Sequence, residues 1–242
     1  MTEALTYDKR FFRQFMDGSS RSASIVVPII VELLDPKSVV DIGCGVAPWA
    51  AAFKRAGVKT VMGMDGDYVD RSLLQIAPEQ FKPTNLDDPI TLNQRFDLAV
   101  CLEVAEHLPP KRAESLVDDL FRLAPSILFS AAIPGQGGTH HVNEQHLDYW
   151  TAKFKARGYV ALDAVRPMIL GDDRVEWWYQ QNIVLAVAAD HPLTERFAEA
   201  RPIVHRHIYD YYRRHEDLSL GRLAALLAAS TGRAVRRRLP RL

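Results

Sequence analysis

The chain has 242 residues, 30 basic against 30 acidic side chains, 48% hydrophobic and 25% charged residues. That is the mix of a folded globular protein, and it excludes a disordered, collagenous or disulfide-framework chain. Balanced charge also excludes a surface basic all over, although residues 201–242 hold ten arginines against three acids, so any affinity for a polyanion is expected in that tail.

At this length one domain of ~150 to 200 residues with extensions is expected: a helical cap over 1–36, a central domain over 37–190, and a helical extension with a basic tail over 191–242. Glu3, Asp8 and Lys9 stand where a signal peptide needs apolar residues, no apolar run approaches ~18 residues, and two cysteines are too few for a secreted framework. A cytoplasmic location follows as the expectation, with Cys44 and Cys101 both reduced.

Within the central part, apolar runs alternate with helical patterns, the signature of a parallel sheet covered on both faces. Strands are expected at Ser38 to Ile42, Thr60 to Met64, Phe81 to Leu86, Asp97 to Leu102, Ser126 to Ile133, Tyr159 to Val165 and Asn182 to Ala189. Helices are expected at Pro48 to Arg55, with Pro in its first turn and Gly57 beyond its end, at Pro110 to Leu123, and near Leu147 to Arg157. The last two strands are separated by too few residues for a crossover helix, so a hairpin is expected and the closing strand is antiparallel. The fold class is therefore α/β, a Rossmann-like, doubly wound seven-stranded sheet with an antiparallel last strand.

The first strand ends in Asp41-Ile42-Gly43-Cys44-Gly45. Glycines there let the backbone turn tightly and approach a ligand, and the following helix offers unsatisfied N–H groups. A dinucleotide site would complete its pattern with Gly at position 48, which is Pro48. Asp65, 22 residues after Gly43, lies where a carboxylate reaches ribose hydroxyls.

On these residues, and on the strings from Gly66 to Arg71, Ile133 to Thr139 and Glu176 to Tyr179, the sequence resembles Class I S-adenosylmethionine-dependent methyltransferases over residues 38–188. It is similar in particular to a bacterial small-molecule type associated with glycan and secondary-metabolite pathways. The resemblance implies S-adenosylmethionine as cofactor, with Asp41 and the glycines Gly43 and Gly45 at its methionine part and Asp65 and Gly66 at the ribose. It further implies Tyr68 and Leu86 against the adenine, Asn85 on the adenine amino group and Glu103 beside the reactive methyl. Ser19, Ser20, Arg21 and Ser22 are candidates to close over the carboxylate. Ala47 departs from the pattern, where many relatives have a third glycine.

Candidate acceptor residues come from position. Glu103, Glu106 and His107 leave the fourth strand at the carboxyl edge, where ligands of open α/β sheets bind, and His140, His141, Asn143, Glu144 and His146 follow the fifth strand at the same edge. A hydroxyl acceptor must lose a proton, and an imidazole is the usual base near neutrality, so His141 is the expected base, with His107 second and Glu106 beside them. Glu144, Trp177, Trp178 and Tyr179 are expected to bind the acceptor, the aromatics by stacking on a ring face. Glu103, Glu106, His107 and His141 can be drawn as a metal set, but sulfonium transfer needs none, and metal-independent catalysis is expected.

The expected function is methyl transfer to a hydroxyl of a small polar acceptor, a sugar or a glycan or natural-product intermediate. The alternatives are N-methylation of a small amine, RNA 2′-O-methylation, and a non-catalytic partner protein. DNA is not an expected partner: no Asn or Asp followed by Pro-Pro and an aromatic follows the fourth strand, and no Pro-Cys nucleophile is present. RNA is disfavoured because the run Arg233 to Arg241 reads as a solvated end. The oligomeric state is left open.

Overall fold

The computed structural model describes residues 9–216, and side chains from 17 to 212. The run Arg233 to Arg241 lies outside the described residues. The chain divides into two compact units, 1–203 and 204–242; in the second, helix α7 (Arg206–Glu216) is described. No helix among the described residues is long and apolar enough to cross a membrane.

The first unit opens with helix α1 (Lys9–Leu34) and continues β1 (Ser38–Ile42), α2 (Pro48–Arg55), β2 (Thr60–Asp65), β3 (Phe81–Pro83), β4 (Leu98–Leu102), α3 (Ala113–Leu123), β5 (Ser126–Ser130), α4 (Leu147–Lys155), β6 (Tyr159–Leu162), α5 (Arg166–Ile169), α6 (Trp177–Asn182) and β7 (Val184–Ala188). The strands form one seven-stranded sheet in the order β3-β2-β1-β4-β5-β7-β6. Strands β1 to β5 pair in parallel, and β7 runs antiparallel to both β5 and β6. The order reverses between β1 and β4, and the crevice at their carboxyl ends is the binding place of such sheets.

Both faces are covered. Val39, Leu98, Val100 and Leu128 pack with Val26, Ile30, Trp49 and Phe53 of α1 and α2. Their alternate neighbours Val40, Ala99, Ile127 and Phe129 pack with Leu116, Leu120, Trp150 and Phe154 of α3 and α4. Every residue of β4 and β5 is buried, as expected of central strands sandwiched by helices. Cys44 belongs to the first core and Cys101 to the second, and both thiols are free.

Several elements differ from the sequence expectation. Strand β3 stops at Pro83, because a proline removes a ladder donor and is tolerated only at an edge. The helix expected from Pro110 begins at Ala113, after a 3₁₀ turn over Pro110–Arg112. The fifth, sixth and seventh strands are shorter than expected. The expected hairpin between the last strands instead contains α5 and α6, and β7 inserts between β5 and β6. Residues 192–203 hold a 3₁₀ turn, Pro192–Glu195, in place of the start of a helical extension.

Candidate active site at the carboxyl edge of the sheet

At the first Gly loop, Gly45 has φ +54 and only open space where a side chain would stand, a backbone shaped for close approach by a ligand. Ala47 takes the left-handed conformation, φ 63, at the start of α2, so the loop keeps its turn without a third glycine. The buried Asp41 accepts a hydrogen bond from the Ala50 amide at 3.3 Å. Burial pushes its carboxyl up to about 8, against the pull of that amide and with the nearby Asp65 charge adding to the rise.

Asp65 ends β2 and fastens the loop to it: one oxygen accepts from the Gly45 amide at 2.7 Å, the other from the Gly66 amide at 2.6 Å and the Tyr68 hydroxyl at 2.5 Å. The Tyr68 ring folds across Gly66, where a side chain would stand 2.1 Å from it. Tyr68 is nonetheless 79% exposed. Leu86 is buried. Asn85 is turned into its own loop, donating to Asp88 at 2.8 Å and accepting from the Asp87 amide at 3.2 Å.

Glu103 follows β4 with φ 54, a left-handed backbone unusual for a residue with a side chain. Its amide donates to the Ser130 carbonyl and to the Ser130 hydroxyl, both at 3.1 Å. One carboxylate oxygen accepts from Gln136 Nε2 at 2.7 Å and the other from Asn182 Nδ2 at 3.1 Å. Asn182 Nδ2 and Gln181 Nε2 also donate to Gln136 Oε1, at 2.8 and 3.2 Å. Burial raises the Glu103 carboxyl above its ordinary value against these donors. Gln136 is the residue the sequence reading missed: it lies within the quoted Gly-rich string, but nothing in its spacing marks it as Glu103's partner.

The two histidine-bearing segments meet. The amides of Val142 and Asn143 donate to the Glu106 carbonyl at 2.8 and 3.0 Å, and Asn143 Nδ2 to the Ala105 carbonyl at 3.4 Å. This docking brings the His107 and His141 rings edge to face, 4.9 Å between centroids and 84° between planes. Donor atoms of Glu106, His107 and His141 lie within 4.8 Å of one another.

The Glu106 carboxyl is fully buried, with no hydrogen-bond partner among the described residues; burial, and then the Glu103 charge, hold it well above the usual carboxylate range. His107 is exposed on one side, while the packing on its other side, and then His141, lower its value. His141 Nδ1 lies 2.8 Å from Glu144 Oε1, and the second Glu144 oxygen accepts from the Gly135 amide at 2.8 Å. His140, with φ 60, is exposed.

The aromatic cluster needs a correction. Tyr179, expected to stack on an acceptor, is 4% exposed, its hydroxyl shared with Ser19 at 3.2 Å and Trp49 at 3.4 Å. Burial pushes that hydroxyl up to about 12. It is a packing hub joining α1, α2 and α6. Trp177 and Trp178 are half-buried and meet edge to face at 5.7 Å. The α1 polar residues are bolted to the same region: Arg21 pairs with Glu176 at 2.9 Å, Ser22 accepts from the Glu176 amide at 3.0 Å, and Ser20 accepts from Gln75 at 3.2 Å. Glu144, also expected to bind the acceptor, has both oxygens engaged within the protein.

A family model described as a methyltransferase domain matches residues 21–182. No curated protein matches the sequence. Among solved structures, magnesium protoporphyrin IX methyltransferase from Synechocystis PCC 6803, crystallised with SAH, superposes with a TM-score of 0.54 at 19% identity over 78% of this chain and 90% of that one. DesVI of Streptomyces venezuelae gives 0.55 at 11% identity over 74% and 97%. An O-methyltransferase family protein from Burkholderia thailandensis gives 0.53 at 14% over 76% and 62%. At these identities the likeness is one of fold.

Proposed function

The chain belongs to the methyltransferase-domain family, of the Class I, S-adenosylmethionine-dependent kind, and from that premise we propose that it methylates a hydroxyl of a small polar acceptor, a sugar or a glycan or natural-product intermediate. The carrying observation is the imidazole of His141, engaged on one nitrogen by Glu144, on a loop that also reaches Glu103 at the carboxyl edge. A hydroxyl acceptor needs such a base, whereas an amine with a lone pair does not.

The residues present fit the cofactor. The open approach at Gly45 suits its methionine part, Asp41 suits an ammonium, and Asp65 suits ribose hydroxyls once the Tyr68 hydroxyl gives way. Bound there, S-adenosylmethionine supplies a methyl group already activated on a sulfonium. The protein's part is then to hold the acceptor oxygen in line and to take its proton on His141 Nε2. Glu103, held by two carboxamides, offers the remaining lone pairs of its oxygens to an acceptor hydroxyl. No step calls for a metal: the only charge developing on the acceptor is at its oxygen, which a base manages.

The test is incubation with S-adenosylmethionine and a panel of neutral sugars, glycosides, nucleotide sugars and amines, read as mass gain of one methyl. His141→Ala should lower turnover by ~10² or more with cofactor binding intact. Asp65→Ala should weaken cofactor binding by about 1.5 to 3 kcal/mol in titration calorimetry. Full activity in the first variant, or exclusive methylation of amines, would overturn the hydroxyl reading.

A further inference from the structure

We propose that Glu144 is the positioning residue of His141, holding its imidazole as the Nδ1–H tautomer so that Nε2 is the proton acceptor. This rests on the reading of His141 as base, and goes beyond it in assigning how that base is prepared. A carboxylate only accepts hydrogen bonds. With Oε1 2.8 Å from Nδ1, the neutral ring carries its hydrogen on that nitrogen, because the bond made by one ring nitrogen sets the state of the other.

Glu144 is itself fixed. Its Oε2 accepts from the Gly135 amide at 2.8 Å, so one side chain closes the loop 135–144 upon itself at both ends. Gly135, with φ +83, turns its amide inward in a left-handed conformation suited to glycine. The opposite edge of the ring packs on Gly138. A side chain at Gly138 would stand 2.2 Å from His141 Nε2, so the missing side chain there is what lets the ring take this place with Nδ1 on Glu144. The remaining titratable groups around the ring are His107, which meets it edge to face, Glu106, whose donor atom lies within 4.8 Å, and Glu103. Of these carboxyls, Glu144 is the one bonded to the imidazole.

The bridge requires an acceptor at both ends, and this separates Glu144 from its amide isostere. In Glu144→Gln one end is an NH₂ group: with its oxygen on the Gly135 amide, the NH₂ faces Nδ1 and favours that nitrogen as an acceptor, with the hydrogen on Nε2, so the preference for Nδ1–H is lost. The full chain, labelled with ¹⁵N-histidine and kept at about pH 8.5 where an ordinary imidazole is neutral, reports the tautomer through long-range ¹H–¹⁵N couplings. The His141 signal is identified by its loss in His141→Asn.

The wild type should show Nδ1–H alone, and Glu144→Gln should show a mixture including Nε2–H, with SAH affinity changed less than twofold. Turnover on any acceptor found should fall tenfold or more at unchanged KM for S-adenosylmethionine, and Glu144→Asp, which keeps two acceptor oxygens, should recover part of it. An Nε2–H tautomer in the wild type would overturn the proposal without any variant, and so would an unchanged tautomer in Glu144→Gln. Glu144→Ala provides the same reading should the amide variant fail to fold. The tautomer is read without methyl transfer, so an inactive protein with the expected tautomer would sink the hydroxyl reading alone.

Discussion

Asp41 is a carboxyl without enough partners: one amide at 3.3 Å, a buried position and a second acid nearby. A carboxyl whose folded value is raised keeps its proton over a range where the unfolded chain has lost it. The folded state then binds more protons than the unfolded state between about pH 4 and about pH 8, and stability falls as pH rises across that window. A bound ammonium reverses the balance by favouring the carboxylate, so binding near neutrality should expel a proton. Affinity for S-adenosylmethionine should therefore rise roughly three- to tenfold from pH 6 to pH 7, below the range where an ordinary α-amino group titrates. Calorimetry in buffers of different ionisation enthalpy should show release of close to one proton, and Asp41→Asn should bind more weakly with a flat profile. A flat wild-type profile would mean that Asp41 is already ionised or does not meet the ammonium.

The decisive element is the loop from Pro134 to His146, which has no regular structure yet supplies three fixed side chains. Gln136 reaches Glu103, His141 reaches Glu144, and Asn143 reaches the Ala105 carbonyl. Gly138→Ala should be disproportionately damaging, since the residue has φ +154 and the new methyl would stand 2.2 Å from His141 Nε2. Turnover should drop ~10-fold or more while cofactor affinity and melting temperature stay near wild type; an equal loss in Gly137→Ala, where the added methyl meets open space, would show backbone strain alone to be responsible.

How much of this was legible follows from the kind of signal each element carries. Strand β1 and helix α2 were read to the residue, because an apolar run ending in Asp-Ile-Gly and a helix with Pro in its first turn are local signals. The meeting of His107 with His141 was legible as well, since both segments leave adjacent central strands at one edge. Helix α6 was not: Trp-Trp-Tyr-Gln-Gln-Asn has no apolar period, and its helix is set by Tyr179 packing on Trp49 and Ser19. Neither was the insertion of β7 between β5 and β6, because alternation within a strand says nothing about its neighbours. Gln136 escaped for the same reason, its partners being 33 to 46 residues away in sequence.

At the scale of the whole molecule, the long connection from β3 to β4 carries Leu86, one wall of the candidate adenine site, and is held by an ion network on α3 and the turn before it. Arg112 donates to the Leu86 carbonyl at 3.0 Å and to Asp119 at 2.5 Å, while Asp119 also accepts from the Ile90 amide at 2.9 Å and from Arg122 at 2.9 Å. Arg122 donates to the carbonyls of Leu92, at 2.7 Å, and Ile90. The Arg112 and Asp119 side chains are only 3% and 8% exposed. Replacing such a pair as a unit is often nearly neutral, but removing one member leaves the other charged, buried and unpaired, which costs about 3 to 5 kcal/mol.

Asp119→Ala should accordingly lower the midpoint of thermal unfolding by roughly 6 to 20 °C for a chain of this size. It should also weaken cofactor binding, because the Leu86 segment loses its anchor at Ile90. Arg112→Met combined with Asp119→Leu should recover much of the stability, since no orphaned charge remains, and should leave cofactor affinity impaired, since the Leu86 carbonyl and Ile90 amide are still untied. Were the single variant to melt within 2 °C of wild type, the network would be ornamental and Leu86 would owe its place to packing alone.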